Sequence, residues 1–284
     1  MIRIVIDMSN IFYRSFSIIS KSEIEFDIKS KKYQKILVEK NIIDILSLVR
    51  KFNNVSEVFL CFDSENYFRK EIDVEYKANR NKKEKEFYDI QDKVLEIFNY
   101  NNFNCLKIEG LEADDLLVLC SESTEKFTIL ISNDEDIRQL ANHKNVIFTA
   151  NSLNSKIFYS ELNYDLHLIN NHEKLFTQVD PYFTLFCKLL IGCEGDNVSR
   201  IVKSGIGYKT LEKMYEKVVL EDLGFEEGLK LFNIKIDEKL LQKQFKMVEL
   251  NSCNMPIELV DKFYDKSFKT LDKNKLYFDK IVIK

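Results

Sequence analysis

Glycine is scarce in this chain, seven in 284 residues, yet Gly192, Gly195, Gly205 and Gly207 crowd into one stretch, IGCEGDNVSRIVKSGIGYKT, residues 191–210. Histidine is scarcer still. His143, His167 and His172 show no H-E-x-x-H spacing, and the six cysteines (61, 105, 120, 187, 193, 253) form no C-x-x-C pair. Those absences argue against a zinc site and leave the cysteines as buried free thiols. No apolar run reaches the roughly 18 residues that a membrane span needs. The opening MIRIVIDMSN lacks the basic start and small-residue cleavage site of a secretory signal, so a cytoplasmic location is expected. Positive charge is also lacking overall. The net charge of −4 gives no support to a nucleic-acid partner. Only the window YKANRNKKEK (76–85) runs the other way, with five Lys or Arg against one Glu.

What the chain does have is a succession of β-branched, apolar runs that end in acids. IRIVID closes on Asp7, EVFLCFD on Asp63, and FTILISND on Asp134 with Asp136 two residues later. NCLKIEG runs into LEADDLLVLCSEST, where Glu112, Asp114 and Asp115 open an apolar helical run. Helical patterns over 34–52 and 88–102 separate these runs, an alternation that predicts an α/β fold with a parallel sheet covered by helices on both faces. In such sheets ligands bind beyond the carboxyl ends of the strands. Neighbouring strands lie about 4.8 Å apart, so acids ending adjacent strands converge. Unit charges about 4 Å apart repel by roughly 4 kcal/mol near a protein surface, so converging carboxylates call for cations, protons or water. With no His or Cys partners, the donor chemistry points to Mg²⁺ or Mn²⁺, which commonly act on phosphates.

In this order, VIDMSNIFYRSF, FDSENYFRKEIDVEYKANR, GLEADDLL, ISNDEDIRQL and the 191–210 stretch resemble five motifs of the structure-specific 5′ nuclease family. That family comprises flap endonucleases, the 5′-nuclease domains of bacterial DNA polymerases I, and phage 5′ nucleases of the ribonuclease H type. The resemblance spans residues 2–215. No polymerase sequence follows, so it is nearer in type to the stand-alone phage enzymes, and the Lys-, Asn- and Ile-rich composition suits an AT-rich genome. It implies a PIN-like central sheet (residues 1–185) with a helical arch over about 64–87, followed by a C-terminal helical lobe (186–284) that binds duplex DNA. It also implies two divalent ions, Mg²⁺ or Mn²⁺. Asp7, Asp63, Glu112 and Asp114 would hold one, and Asp115, Asp134, Asp136 and Asp196 the other. Lys77 would stand beside the scissile phosphate and Arg14 would help hold it.

The expected arch is rich in cations able to follow a phosphate backbone, namely Arg69, Arg80, Lys82 and Lys83. Its aromatics Tyr67, Phe68 and Tyr76 can stack on splayed bases. Gly205, Gly207, Lys209 and Thr210 are read as a second contact. Glycines there allow close backbone approach, and a helix beginning near Lys209 offers amide donors to phosphate; the resemblance adds a possible K⁺ at this element. It further implies a monomer that removes RNA primers and flaps during replication, acting on 5′ flaps, 5′ ends and RNA·DNA duplexes, with a replication-protein partner unidentified. Two alternatives stand beside it: a catalytically weak DNA-junction binder on the same scaffold, and a PIN-type ribonuclease. Cys193 motivates the first, because it falls where the family motif has an acid and a neutral thiol is a poor ligand for Mg²⁺. The basic window and the 205–210 element disfavour the second.

Overall fold

The computed structural model describes residues 1–22, 26–80, 84–101, 103–149, 155–161, 176–202, 206–232, 234 and 237–271. Lys82, Lys83, Gly205, His167, His172 and the C-terminal YFDKIVIK lie outside the described residues. The chain runs β1 (Ile2–Asp7), α1 (Met8–Ser22), α2 (Lys31–Val49), β2 (Val55–Cys61), α3 (Arg69–Ile72), α4 (Lys85–Tyr100), β3 (Asn104–Leu106), α5 (Ala113–Glu122), β4 (Phe127–Ile131), β5 (Asn145–Phe148), β6 (Ile157–Tyr159) and β7 (Phe176–Gln178). After the sheet come α6 (Pro181–Ile191), α7 (Tyr208–Leu220), α8 (Phe225–Leu231), α9 (Glu238–Val248) and α10 (Ile257–Tyr264).

The strands form one seven-stranded sheet ordered β3-β2-β1-β4-β5-β6-β7. Every pairing is parallel except β5 with β6. The α/β expectation therefore holds, and the continuous apolar strands have the usual cause, burial on both faces. Alternation along β1 shows it: Ile2, Ile4 and Ile6 pack with residues of α1, α2 and α4, while Val5 packs with residues of α5 and α10. β2 and β4 divide likewise, with Val58, Leu60, Ile129 and Ile131 on the first side and Phe59, Cys61 and Leu130 on the second. Fully burying each such side chain contributes about 1.5–3 kcal/mol. Asp7, two residues beyond Val5, is placed by the period of two on the α5 side.

Chain order reverses at β1: β2 and β3 lie on one side, β4 and β5 on the other. This is the switch point at which α/β sheets hold ligands. The C-terminal helices form a smaller core in which Phe186, Leu190, Leu211, Met214 and Leu229 are buried together. α6 begins sharply because Asp180 accepts from the backbone N–H groups of Tyr182 and Phe183, and Pro181 supplies a preset first helical residue. The expected division at 185/186 falls inside this helix. Among the described residues no helix is long and apolar enough to cross a membrane.

Candidate active site

Three adjacent strands deliver the acids. Asp7 ends β1, in register with Cys61 of β2, and Ile6 is in register with Ile131 of β4. Asp63 and Asp134 follow those two strands by two and three residues. Asp7 is 4 % exposed; its Oδ1 accepts from the backbone N–H of Asn10 (2.9 Å) and its Oδ2 from the Ser132 hydroxyl (2.8 Å). Burial pushes its pKa up to about 7; those hydrogen bonds oppose the shift, and the neighbouring charges of Asp63 and Asp134 add to it. Asp63 is half-buried and accepts from the N–H of Ala113, the first residue of α5, at 2.8 Å. Its pKa is raised by burial and by Glu112, against the pull of Lys77. Asp114, on the first turn of α5, is raised further, by burial and then by Asp7 and Asp134. Asp134 is exposed, and one of its oxygens accepts from the N–H of Asp136 at 2.9 Å.

Glu112 and Asp115 behave differently. Glu112 caps α5, and the two side chains form a capping box in which Asp115 accepts from the Glu112 N–H at 2.9 Å. Asp115 is wholly buried and also takes a two-pronged bond from Arg69, at 2.9 and 2.7 Å. Asp115, expected as a second-ion ligand, is placed with no exposed surface against the Arg69 guanidinium. The expectation for Arg69 is corrected. Arg69 is 3 % exposed, reaches Glu112 at 3.2 Å, and donates to the Met247 carbonyl at 3.1 Å, so it is a buried structural cation instead of a DNA contact. Phe68 and Tyr76 are buried at 5 % and 4 % and unavailable for stacking on bases; the Tyr76 hydroxyl donates to Glu112 at 2.8 Å. The expected arch is, over its described residues, one four-residue helix followed by turns folded down against α9 and α5.

Lys77 joins these groups. Its ammonium pairs with Glu112 and stands 4.0 Å from Asp196. Burial works against each charge, yet the pairing prevails. The Lys77 pKa is raised, chiefly by Glu112, and the Glu112 pKa is lowered, chiefly by Lys77 and then Arg69. Lys77 has φ +56°, a left-handed conformation that costs a residue with a long side chain roughly 1–2 kcal/mol. The surroundings hold it there: its N–H donates to the Asp196 carbonyl at 3.0 Å, and Asn197 reciprocates by donating from its side chain to the Glu75 carbonyl at 2.9 Å. Asn79 bonds the Glu194 carbonyl at 2.8 Å, while Arg80 bonds the Gly195 carbonyl at 3.1 Å and pairs with the Asp196 carboxylate. Residues 75–80 are therefore clamped to the glycine-rich turn. Arg80 remains half exposed, and Gly207, Lys209 and Thr210 are exposed at the start of α7. Arg14 lies elsewhere on α1, with Nε and Nη1 buried and unpartnered, beside Lys51, whose pKa falls through burial and Arg14's charge.

Within the turn, Gly192 has φ +73°, and an added Cβ would lie 2.4 Å from the Val198 carbonyl oxygen. Cys193 and Val198 exchange backbone bonds of 3.1 and 2.9 Å. The Cys193 thiol is held protonated by burial and by Asp196. Across from it, the pKa of Asp136 is pushed up to about 6 by burial and Asp134, although Lys188 pairs with it at 2.8 Å. Sequence reasoning missed Lys188 and Ser132. The available signal for Lys188 was its being the lone charge in the apolar helix PYFTLFCKLLI.

Among the described residues no three His, Cys, Asp or Glu side chains close on one point as an ion cage would. Asp7 instead feels the charge of Asp63, and Asp114 that of Asp7. An all-oxygen, mutually repelling donor set fits a hard divalent ion that keeps much of its water. Asp136 offers a further buried oxygen, Oδ1, without a partner.

Residues 3–166 match the family model described as 5′-3′ exonuclease, N-terminal resolvase-like domain. A 5′-3′ exonuclease of Mycoplasmopsis pulmonis is 27% identical over 247 residues, covering 77% of this chain and 78% of that one. A DNA polymerase I of Chloroflexus aurantiacus is 30% identical over 153 residues, which are 53% of this chain and 16% of the polymerase. Among solved structures, the bacteriophage T5 D15 flap endonuclease, in a pseudo-enzyme-product complex with DNA and metal ions, superposes with a TM-score of 0.59 at 20% identity. That match covers 93% of this chain and 96% of the other.

Proposed function

This chain belongs to the 5′-3′ exonuclease family of nucleases, and we propose that it hydrolyses phosphodiesters at the 5′ flaps and 5′ ends of DNA and RNA·DNA duplexes with the help of a divalent ion. One observation carries the reading: Asp7, Asp63 and Asp114 stand together at the sheet's switch point with raised pKa values, while a strained, charged Lys77 is held at their edge by Glu112. Similarity to a flap endonuclease solved with DNA and metal ions supports it.

In this mechanism Asp7, Asp63 and Asp114, with Glu112 behind them, would hold Mg²⁺ or Mn²⁺. Bound there, the ion would supply Lewis-acid activation of water and neutralise charge on the phosphate. Lys77 presents an ammonium whose proton is secured by Glu112, so it remains a cation when phosphate enters. Asn10 and Ser132 fix both oxygens of Asp7, so this acid is oriented before any ligand arrives. Asp196 acts through Arg80 and Lys77, setting the angle at which residues 75–80 meet the turn. Exposed Arg80, Lys209 and Thr210, with the lobe from about residue 186, contact the DNA backbone, and the 205–210 element would be the place for a K⁺. In this reading the protein is a cytoplasmic monomer at work in replication, and its six free cysteines suit a reducing compartment.

The test is cleavage of a 5′-labelled flap across a Mg²⁺ and Mn²⁺ series. Wild type should release products with 5′-phosphate ends. Lys77→Ala should lose roughly 10²-fold or more in turnover with little change in DNA affinity. Absence of cleavage at every ion concentration, with DNA binding intact, would refute the reading. It would favour the junction-binding alternative to which Cys193 points.

A further inference from the structure

Asp134 and Asp136 wall one side of a cavity of about 400 Å³; Lys188, Gly192, Cys193 and Tyr208 line the other. Resting on the reading of the neighbouring acids as a metal-dependent nuclease cleft, we propose that Lys188 is the resident cation of this second acidic pair. This chain would then hold one divalent ion where its family resemblance implies two.

The geometry leaves little room for both. The Lys188 ammonium lies 2.8 Å from Asp136 Oδ2, and the two side chains are only 20% and 19% exposed. A charge-assisted bond of that length in a half-desolvated site is among the stronger polar contacts in proteins. Lys188 is the lone charge of α6, flanked in sequence by the buried Cys187 and Leu189. Asp136 Oδ1 is buried and unpartnered, so an incoming ion would have to use the same carboxylate that already holds the ammonium. At about 4 Å, two unit charges interact by roughly 4 kcal/mol in a near-surface dielectric, and a doubly charged ion doubles that repulsion to roughly 8 kcal/mol.

The charge count agrees. Asp136 already has its counter-charge in Lys188. Position 193, across the cavity, carries a neutral thiol, which is a poor partner for Mg²⁺ or Mn²⁺. Asp196 is already paired with Arg80 and stands 4.0 Å from Lys77. Glu135, the third acid on the cavity, is paired with Arg138 at 2.9 Å, so Asp134 and Asp136 with one ammonium leave a net charge of −1, a weak lure for a dication. At the first site Asp7, Asp63 and Asp114 have no ion pair among the described residues.

Mn²⁺ titration, followed by calorimetry and by the paramagnetic resonance signal of free Mn²⁺, counts the sites without reference to activity. Wild type should bind one equivalent, and Asp7→Asn should abolish it. Lys188→Arg should still bind one. The double variant Lys188→Met/Cys193→Asp should bind two, the second site strengthening at least tenfold over wild type. Two equivalents of similar affinity in wild type would overturn the proposal, and that count needs no variant to fold. A double variant that folds and still binds one ion would overturn it as well. If wild type binds none, the metal-dependent reading itself fails, and the lysine proposal with it.

Discussion

Replacing Arg69 by Met separates a structural cation from a DNA contact. Arg69 is 3 % exposed and makes four bonds: two to Asp115, one to Glu112 and one to the Met247 carbonyl. Methionine fills much of the same space but restores none of them. Glu112 would keep Lys77 and Tyr76, whereas Asp115, with no exposed surface, would keep only the Glu112 N–H. Removing one partner of a buried pair costs about 3–5 kcal/mol, because the other charge is left uncompensated. With no tryptophan and 13 tyrosines, the chain is best followed in urea by far-ultraviolet circular dichroism. The transition midpoint should fall accordingly, and Arg69→Met/Asp115→Leu, which removes both charges, should recover most of the loss. An Arg69→Met protein within about 1 kcal/mol of wild type, deficient only in DNA affinity, would refute the reasoning and return Arg69 to the DNA-binding surface.

Two further outcomes follow from the same geometry. The folded-state pKa of Asp7, raised from 3.8 to about 7, means that the native protein keeps a proton that the unfolded chain releases across that interval. Stability of the EDTA-treated protein should therefore fall as pH rises from about 4 to about 7, by roughly 4 kcal/mol from this group at most, and Mg²⁺ should restore it at the upper end. Thermal unfolding at several pH values with and without the ion checks this; rising stability of the metal-free protein across that window would contradict it. Gly192→Ala places a Cβ against two backbone oxygens at φ +73° and should cost on the order of 2–3 kcal/mol, while Gly195→Ala, with nothing within 4 Å of the new Cβ, should stay within about 0.5 kcal/mol in the same urea assay.

Elements whose cause is local could be read from sequence. IRIVID runs almost continuously apolar because both faces of β1 are buried, and its closing acid falls where the register with β2 and β4 puts it. Helix α2 begins three residues before the apolar periodicity over 34–52, following Ser30. What was not legible depends on partners far along the chain. Arg69, Phe68 and Tyr76 sit in a charged window that reads as solvated; Asp115, Glu112 and Met247, up to 178 residues away, hold Arg69 and Tyr76 in, and Phe68 joins the core around Ile108 and Leu259. Lys188 was hidden for the converse reason, a charge in an apolar helix whose acidic partner lies 52 residues earlier in the chain.

The fold assigns its own cations selectively. Glu112 has Lys77 and Arg69, Asp115 has Arg69, Asp136 has Lys188, and Asp196 has Arg80. Asp7, Asp63 and Asp114 have no ion pair among the described residues, and their raised pKa values record the cost. If these three were merely structural, the same economy of side chains could have served them, since a buried unpaired carboxylate costs several kcal/mol and a lysine or arginine offsets it. Lys77 stands next to them and is turned, at the expense of a left-handed backbone, toward Glu112 instead. Local rules broken together at one place, at the switch point of a parallel sheet, mark a functional site more firmly than any single acid. The three unpaired carboxylates are the part of the charge pattern that an outside cation completes.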